Sequence, residues 1–391
     1  MSFLEKIEVN PKISLEKGKI YPFVEMANVG FYTREPSLVE EKPFSSGVKF
    51  EDGDTVVARI TPCLQNGKGF YCHGIGKGFG STEYLVFRPK DDSVDNQYLY
   101  YLMQTDYVRE SMIKSMIGAT GRQRVNNDVF TRINVDFPEI TVQRKVANAL
   151  SSYDNLIENK QKQIKLLEEA AQLLYKEWFV DLHFPGYEDT EIVDGVPEGW
   201  KECKVGDIVM TSSGGTPSRS HPEYYINGEN FWLKTKELSD GFIFDTEEKI
   251  TDEAIKRSSA KKIEPGNIVM AMYGATIGKL GISAVDMTCN QACCVFNMKS
   301  FDNGREFLYC WLRDNRNALI LKGKGSAQPN LSQELIQSIN IILPSKEILE
   351  MFSKIASCYF ELKGKNEKQI KFLQQARDRL LPKLMSGELE V

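Results

Sequence analysis

Three stretches of the chain carry residue types that could hold a nucleotide or a metal, and each falls short. GATIGKL (274–280) resembles a phosphate-binding loop, but its spacing is one residue short and no Ser or Thr follows Lys279. GIGKGFG (74–80) lacks the third glycine of G-x-G-x-x-G and an acidic partner on a following strand, so a turn between strands is expected. Asp245, Glu247 and Lys249 have the spacing of a metal-dependent nuclease, a triplet that is also common on solvated surfaces. No Asn-Pro-Pro-Tyr type motif for amino-methyl transfer is present. With only His73, His183 and His221, and no clustered carboxylates, acid–base or triad chemistry has little to stand on. The eight cysteines (Cys63, Cys72, Cys203, Cys289, Cys293, Cys294, Cys310, Cys358) form no C-x-x-C pair, so reduced buried thiols are expected and no metal site. The chain is expected to catalyse nothing.

Side chains that could grip a nucleic acid are present locally rather than in bulk. The net charge is -5, with 17 basic against 19 acidic residues in 1–139 and 17 against 18 in 197–343. Basic residues gather instead at two matched places. Arg109, Lys114, Arg122, Arg124 and Arg132 face only Glu110 and Asp128, while Arg313, Arg316, Lys322 and Lys324 face only Asp314. Each place includes a Gly-rich loop, where backbone N–H groups can approach phosphates closely. Arg122, Gln123 and Arg124 in one loop, and Lys324, Ser326 and Gln328 in the other, are donors suited to guanine and adenine edges. TSSGGTPSRSHPEYY (211–225) and FWLKTKEL (231–238) add Thr216, Ser218, Arg219, Lys234 and Lys236 as phosphate contacts. Arg59, Lys68, Tyr273, Thr276 and Lys279 complete the candidate set.

The elements that must position these residues are written twice. KQIKLLEEA (162–170) returns as KQIKFLQQA (368–376), with six of nine positions identical at an offset of 206. At the same offset RINVDFP (132–138) falls on SINIILP (338–344), and GATGRQRVNNDVF (118–130) parallels GSAQPNLSQELI (325–336). DGDTVVARI parallels PGNIVMAMY at an offset near 213. Order as well as residue type is shared: strand, helix, Gly-rich loop, short strand ending in Pro, long helix. A tandem duplication follows, with a period too long for a solenoid.

The expected fold class is α+β, with two mixed α/β globular units in pseudo-two-fold tandem repeat, joined by two long antiparallel coiled-coil helices. Expected boundaries are 1–141 for the first globular unit and 142–182 for the central helix, then 183–344 for a linker with the second unit and 345–391 for the C-terminal helix. HFPGYEDTEIVDGVPEGW (183–200) reads as an exposed linker. Residues 96–116 and 304–322 read as helices within the globular units. Leu150, Tyr153, Ile157, Ile164, Leu167 and Leu174 follow a 3/4 spacing broken at Lys160, which predicts a coiled-coil seam. Tyr359, Ile370, Leu373 and Leu380 form its counterpart, weakened by Lys363, Asn366 and Arg377. No run approaches 18 apolar residues and MSFLEKIEVN lacks a signal-peptide core, so a cytoplasmic protein is expected.

From the residues alone, a DNA reader, a fused restriction or methylation enzyme, and a coiled-coil scaffold that touches no DNA all remain open. The enzyme would need a catalytic block of its own, and none is left once both copies are assigned.

SGGTPSRSHPEYY with FWLKTKEL, KKIEPGNIVMAMYGATIGKLGI, NQACCVF, GSAQPNLSQELIQSINIILP and the helix ends LLYKEWFVD and RLLPKLMSGEL together carry a resemblance. The chain resembles, over essentially its whole length, the specificity subunit of Type I restriction–modification systems. Its first globular part lacks the G-G-T-P opening. The resemblance implies two target-recognition domains, each reading one half of an interrupted site in double-stranded DNA. It implies helices that space the halves and dock two methyltransferase subunits, with restriction subunits joining the full complex. S-adenosylmethionine, ATP and Mg would then belong to those partners and no cofactor to this chain. From Leu150 to Trp178 a helix rises about 42 Å at ~1.5 Å per residue, the length of about 12 base pairs.

Overall fold

A computed structural model describes residues 2–323 and 330–391. The chain divides into two compact units, Met1–Asn159 with Ile370–Val391, and Lys160–Gln369. Both are built from sheet and helix, and each long helix contributes to both. Among the described residues no helix is long and apolar enough to cross a membrane.

In unit 1, TVVA (Thr55–Ala58) has three β-branched residues and is buried throughout, which suits a central strand. It lies in a four-stranded sheet of order Ile7–Val9, Tyr84–Pro89, Thr55–Ala58, Gly69–Tyr71, with Val56 opposite Val86. A second sheet has the order Glu40–Pro43, Ile20–Val24, Gly78–Gly80, Val48–Phe50. Phe3, Phe87 and Phe130 form an aromatic centre with ring centroids 5.2–6.0 Å apart. The helix Asn96–Gln104 starts at Asp95, whose carboxylate accepts from the Gln97 and Tyr98 N–H groups. The stretch read as one helix breaks at Thr105, which is extended, and resumes as Asp106–Lys114.

Unit 2 repeats this plan. Its five-stranded sheet runs Met210–Ser213, Cys293–Asn297, Ile268–Ala271, Leu280–Ser283, Gly241–Ile243. A three-stranded sheet runs Glu248–Ile250, Asn230–Leu233, Thr288–Cys289. The helical stretch here also splits, into Arg305–Asp314 and Arg316–Lys322 at Asn315. Individual hydrogen bonds recur at counterpart positions. Val125 N–H donates to Arg59 O at 2.9 Å, and Leu331 N–H donates to Met272 O at 2.8 Å. Ala58 N–H reaches Lys68 O at 3.0 Å, and Ala271 N–H reaches Lys279 O at 2.9 Å. Single bridges Ile60–Arg124 and Tyr273–Asn330 close the same corner of each sheet. The duplication thus reaches into the globular parts, where sequence identity has faded.

Two further expectations differ from what is found. SINIILP forms the strand Asn340–Leu343, paired with Lys201–Lys204, whereas RINVDFP makes only one bridge, Ser2 to Asn134. The segment 183–200 is not a wholly exposed linker. Phe184 and Trp200 are buried in the unit 2 core with ring centroids 4.8 Å apart, and a small hairpin, Ile192–Val193 with Val196–Pro197, lies between them. Two aromatics anchor a segment whose Pro, Gly and acidic content masks them.

The long helices are Ile140–Phe179 and Lys346–Ser386. In unit 1 their segments run in opposite directions, since Lys145 Nζ reaches Val391 O at 3.1 Å while Arg377 meets Asp154. Leu150 packs there with Tyr71, Tyr98, Tyr100, Tyr101, Leu381 and Leu384. In unit 2, Ala171, Tyr175 and Trp178 share a core with Phe352, Ala356 and Phe360.

Of the seam residues, Leu150 and Ile157 are buried, while Tyr153, Ile164, Leu167, Leu174, Tyr359, Ile370, Leu373 and Leu380 are half-buried. The polar positions that weaken the pattern are as deeply buried as Leu150 and Ile157: Lys363, Asn366 and Arg377 are 4%, 1% and 2% exposed. Each is compensated. Lys363 Nζ meets Glu168 Oε1 at 2.6 Å and Asp240 O at 2.5 Å. Arg377 Nη1 meets Asp154 Oδ1 at 2.5 Å, and Asn366 bonds Lys160 and Gln163. Buried charge is tolerated only with such partners.

Candidate nucleic-acid interface

In unit 1 the Gly-rich loop is a closed turn. Ile117 and Arg124 exchange backbone hydrogen bonds at 2.9 Å in both directions, and Gly118 and Gly121 take positive φ between them. Arg122 stands exposed at its tip, with no side-chain partner among the described residues. Gln123 is tied down through its backbone, its N–H donating to Thr61 Oγ1 and its carbonyl accepting from Thr61 N–H, each at 3.0 Å. Arg124 grips Glu83, with Nη2 at 2.6 Å and Nε at 2.9 Å from its carboxylate oxygens. That hydrogen bond outweighs partial burial and holds Glu83 below the ordinary carboxylate range.

Lys68 and Arg59 are turned to other work. Lys68 Nζ donates to Met26 O at 2.7 Å and lies 5.5 Å from the Phe31 ring, stapling two loops together. Arg59 Nη2 reaches Val125 O at 3.4 Å, and its Nε is buried without a hydrogen-bond partner among the described residues. The structure therefore leaves Arg122, and Arg124 in exchange for Glu83, as the open cations of this loop.

Unit 2 brings its candidates together around carboxylates. Arg219 Nη2 lies 2.6 Å from Glu248, Lys234 Nζ lies 2.7 Å from Glu248 and 3.4 Å from Glu247, and Lys236 Nζ lies 2.5 Å from Glu247. Thr216 donates to Gln291 Oε1, and Ser218 shares a hydrogen bond of 2.7 Å with Ser220. Thr276 Oγ1 joins this group by donating to Thr235 O at 2.9 Å. Lys279 Nζ bonds Asp240 at 2.9 Å, beside Arg316, which bonds the same carboxylate. Tyr273 is half-buried against the core. Lys324 and Gln328 lie outside the described residues, as does Ser326.

The carboxylates Glu83, Asp240, Glu247 and Glu248 and the rings of Tyr225 and Trp232 are functional neighbours that sequence reasoning passed over. Glu247 was read only within a nuclease-like triplet; here two lysines neutralise it and Lys249 lies 4.7 Å from the Phe231 ring. The phosphate-loop likeness at 274–280 also dissolves. Gly278 N–H donates to Ala271 O, Ile277 N–H to Gly274 O and Lys279 N–H to Thr276 O, so these groups close a turn instead of facing a ligand. GIGKGFG forms a turn, its Ile75 and Gly76 N–H groups donating to Asp52 Oδ1, followed by the strand Gly78–Gly80.

Comparison with known proteins gives this geometry its context. The specificity subunit of the Type I restriction enzyme MjaIX of Methanocaldococcus jannaschii is 31% identical over 312 residues, covering 78% of this chain and 71% of that one. The HindI specificity subunit of Haemophilus influenzae is 25% identical over 94% of this chain and 95% of its own. The crystal structure of the Type I restriction–modification S subunit from M. genitalium has the same fold, with a TM-score of 0.58 at 17% identity, covering 98% of this chain and 95% of that one. The model of the Type I restriction modification DNA specificity domain matches twice, over residues 6–169 and 197–372. One match falls on each copy of the repeated fold, and the chain belongs to the family of Type I restriction–modification DNA specificity proteins.

Proposed function

We propose that this chain is the non-catalytic DNA reader of a Type I restriction–modification assembly, each globular part recognising one half of a bipartite site in duplex DNA. The observation that carries this is the duplication itself: one specificity fold is built twice, with different side chains on the same backbone corner. A protein that reads two unlike half-sites needs that combination.

The long helices pair as an antiparallel coiled coil about a pseudo-two-fold axis, space the half-sites and dock two methyltransferase subunits. Support comes from exposed apolar residues at counterpart positions. Leu156 and Leu362 are offset by 206, as are Leu166 and Phe372, and all four are about half exposed or more. Two like partners require two like surfaces. Restriction subunits join the full complex, and S-adenosylmethionine, ATP and Mg sit on these partners, in the cytoplasm. Arg122 and Arg124 in unit 1, and Thr216, Ser218, Arg219, Lys234, Lys236 and Lys279 in unit 2, meet the DNA at phosphates or bases.

The test is selection of bound duplexes from a random pool by the chain co-purified with its methyltransferase. Two short specified blocks separated by an unspecified gap of fixed length are expected. A pool that stays random would sink the proposal and favour a scaffold that ignores DNA.

A further inference from the structure

The Arg219 guanidinium in unit 2 is held more firmly than an exposed cation needs to be. Its central carbon lies 4.0 Å from the Tyr225 ring centroid and 5.5 Å from that of Trp232. Nη2 is fixed by Glu248 at 2.6 Å. The rings are themselves fixed, since the Tyr225 hydroxyl donates to Pro217 O at 2.5 Å and the Trp232 indole N–H to Gly215 O at 3.0 Å. Even so, 57% of the Arg219 side chain remains exposed, so the part not held by Glu248 is open to a ligand.

A phosphate contact needs charge and reach, which a mobile side chain supplies. A base contact needs direction, and direction requires a planar group whose rotamer is already chosen. The surrounding charge separates the two. Arg219, Lys234 and Lys236 face Glu247 and Glu248, so the cluster carries little net charge to attract a polyanion. Hydrogen bonding from Lys234, against a smaller cost of burial, and then from Arg219 holds Glu248 below the ordinary carboxylate range, so its charge is present at neutral pH. A fixed carboxylate beside the arginine repels phosphate. Guanine instead presents two uncharged acceptors, O6 and N7, in the plane and spacing of a guanidinium edge.

We propose that Arg219 reads a guanine in the half-site bound by unit 2, with Glu248 and Tyr225 as positioning residues that aim its open edge. This rests on the DNA-reading role proposed above. The experiment repeats the random-pool selection with the methyltransferase complex of the wild type, Arg219→Lys and Glu248→Gln. In the wild type one position of one block should be a guanine. Arg219→Lys should lower that preference roughly tenfold or more, with the other block unchanged. Glu248→Gln should move two readouts in opposite directions: the guanine preference falls, while binding to unrelated DNA tightens and its salt dependence steepens. A merely structural glutamate would lower both together.

Two blocks in the wild type that Arg219→Lys leaves intact would overturn this assignment alone. Uniform weakening across sequences, with a salt slope lower by about one, would make Arg219 a phosphate contact and overturn it too. No sequence preference in the wild type would instead refute the DNA-reading role. If Arg219→Lys fails to fold, the opposed readouts of Glu248→Gln still decide.

Discussion

Lys160 and Asn366 hold the same position in the two copies, 206 residues apart, and they meet: Lys160 Nζ donates to Asn366 Oδ1 at 3.1 Å. The Asn366 amide nitrogen donates in turn to Gln163 Oε1 at 3.1 Å, and its side chain is buried. Eight residues further along one helix, Glu168 meets Lys363, three residues earlier on the other, so these two helix segments run in opposite directions and only residues near the crossing meet their own counterparts. A buried amide at such a point fixes register, at a cost in stability.

Fixed register makes a length change in one helix costly. Seven residues inserted after Asn159 alone shift one set of buried partners, either Asp154 against Arg377 or Glu168 against Lys363. That insertion should destabilise the chain by about 3 kcal/mol or more, the scale of a broken buried pair. Matched seven-residue insertions after Asn159 and Gln369 leave both sets paired and should keep near-normal stability in thermal melts. In DNA selection they should lengthen the unspecified gap by about 3 base pairs, from ~1.5 Å per residue and ~3.4 Å per base pair. An unchanged gap in the matched variant would end the ruler role of the helices.

Arg377 and Asp154 are each almost fully buried, and Asp154 also accepts from the Tyr101 hydroxyl at 2.5 Å. Asp154→Ala leaves the buried Arg377 guanidinium to the exposed Asp378, whose carboxylate lies 2.8 Å from Nη2, and should cost roughly 3 kcal/mol in chemical denaturation. Tyr101→Phe removes one hydrogen bond to that buried carboxylate and should cost about 1.5–3 kcal/mol. Asp154→Leu combined with Arg377→Met removes both charges and should recover most of the loss. A double variant as unstable as Asp154→Ala would show that packing, not the unpaired charge, dominates there.

Asp240 ties unit 2 together through a titratable group. Burial would raise its carboxyl, but hydrogen bonds from Arg316, the Leu280 N–H and Lys279 overcome this and hold it below the ordinary carboxylate range. A lowered folded value stabilises above the unfolded value and is lost as pH falls through the folded one. Asp240→Asn should therefore be less stable than the wild type at pH 7 and pH 5. The gap should close as pH falls below ~4. Denaturation midpoints across that range check the sign, and a gap that widens on acidification contradicts it.

The paired apolar exposures predict how partners are lost. Leu166→Lys with Leu362→Lys in unit 2 should leave folding within ~0.5 kcal/mol, because both side chains are about half exposed or more. The mass of the purified complex should then fall by one methyltransferase copy. Leu156→Lys with Phe372→Lys in unit 1 should remove the other. A quadruple variant that still carries two copies places the docking surface elsewhere.

Much of the architecture was legible because periodicity and repetition are local signals. The two long helices follow from their 3/4 spacing, and the duplication from matched segments around Lys162 and Lys368. The basic residues of the candidate interface were legible by type. Their availability was not, because it depends on carboxylates distant in sequence: Glu83 is 41 residues from Arg124, and Glu248 is 29 from Arg219. Lys68 belongs to the candidate set by residue type, yet its ammonium donates to Met26 O, 42 residues away. The polar helix positions read as defects for the same reason, since the partners Glu168, Lys160 and Asp154 that meet Lys363, Asn366 and Arg377 lie across the fold. Helix breaks at Thr105 and Asn315 carry neither Pro nor Gly and left no mark in the pattern.

Phe184 and Trp200 put a limit on how the second recognition region can be moved between proteins. Because both rings belong to the core of unit 2, the stretch from 184 to 200 travels with that unit as cargo and not as cord. A graft joined before Phe184 transplants a closed core. One joined between the two aromatics divides a packed pair between donor and host, and each chimera inherits half of an interior.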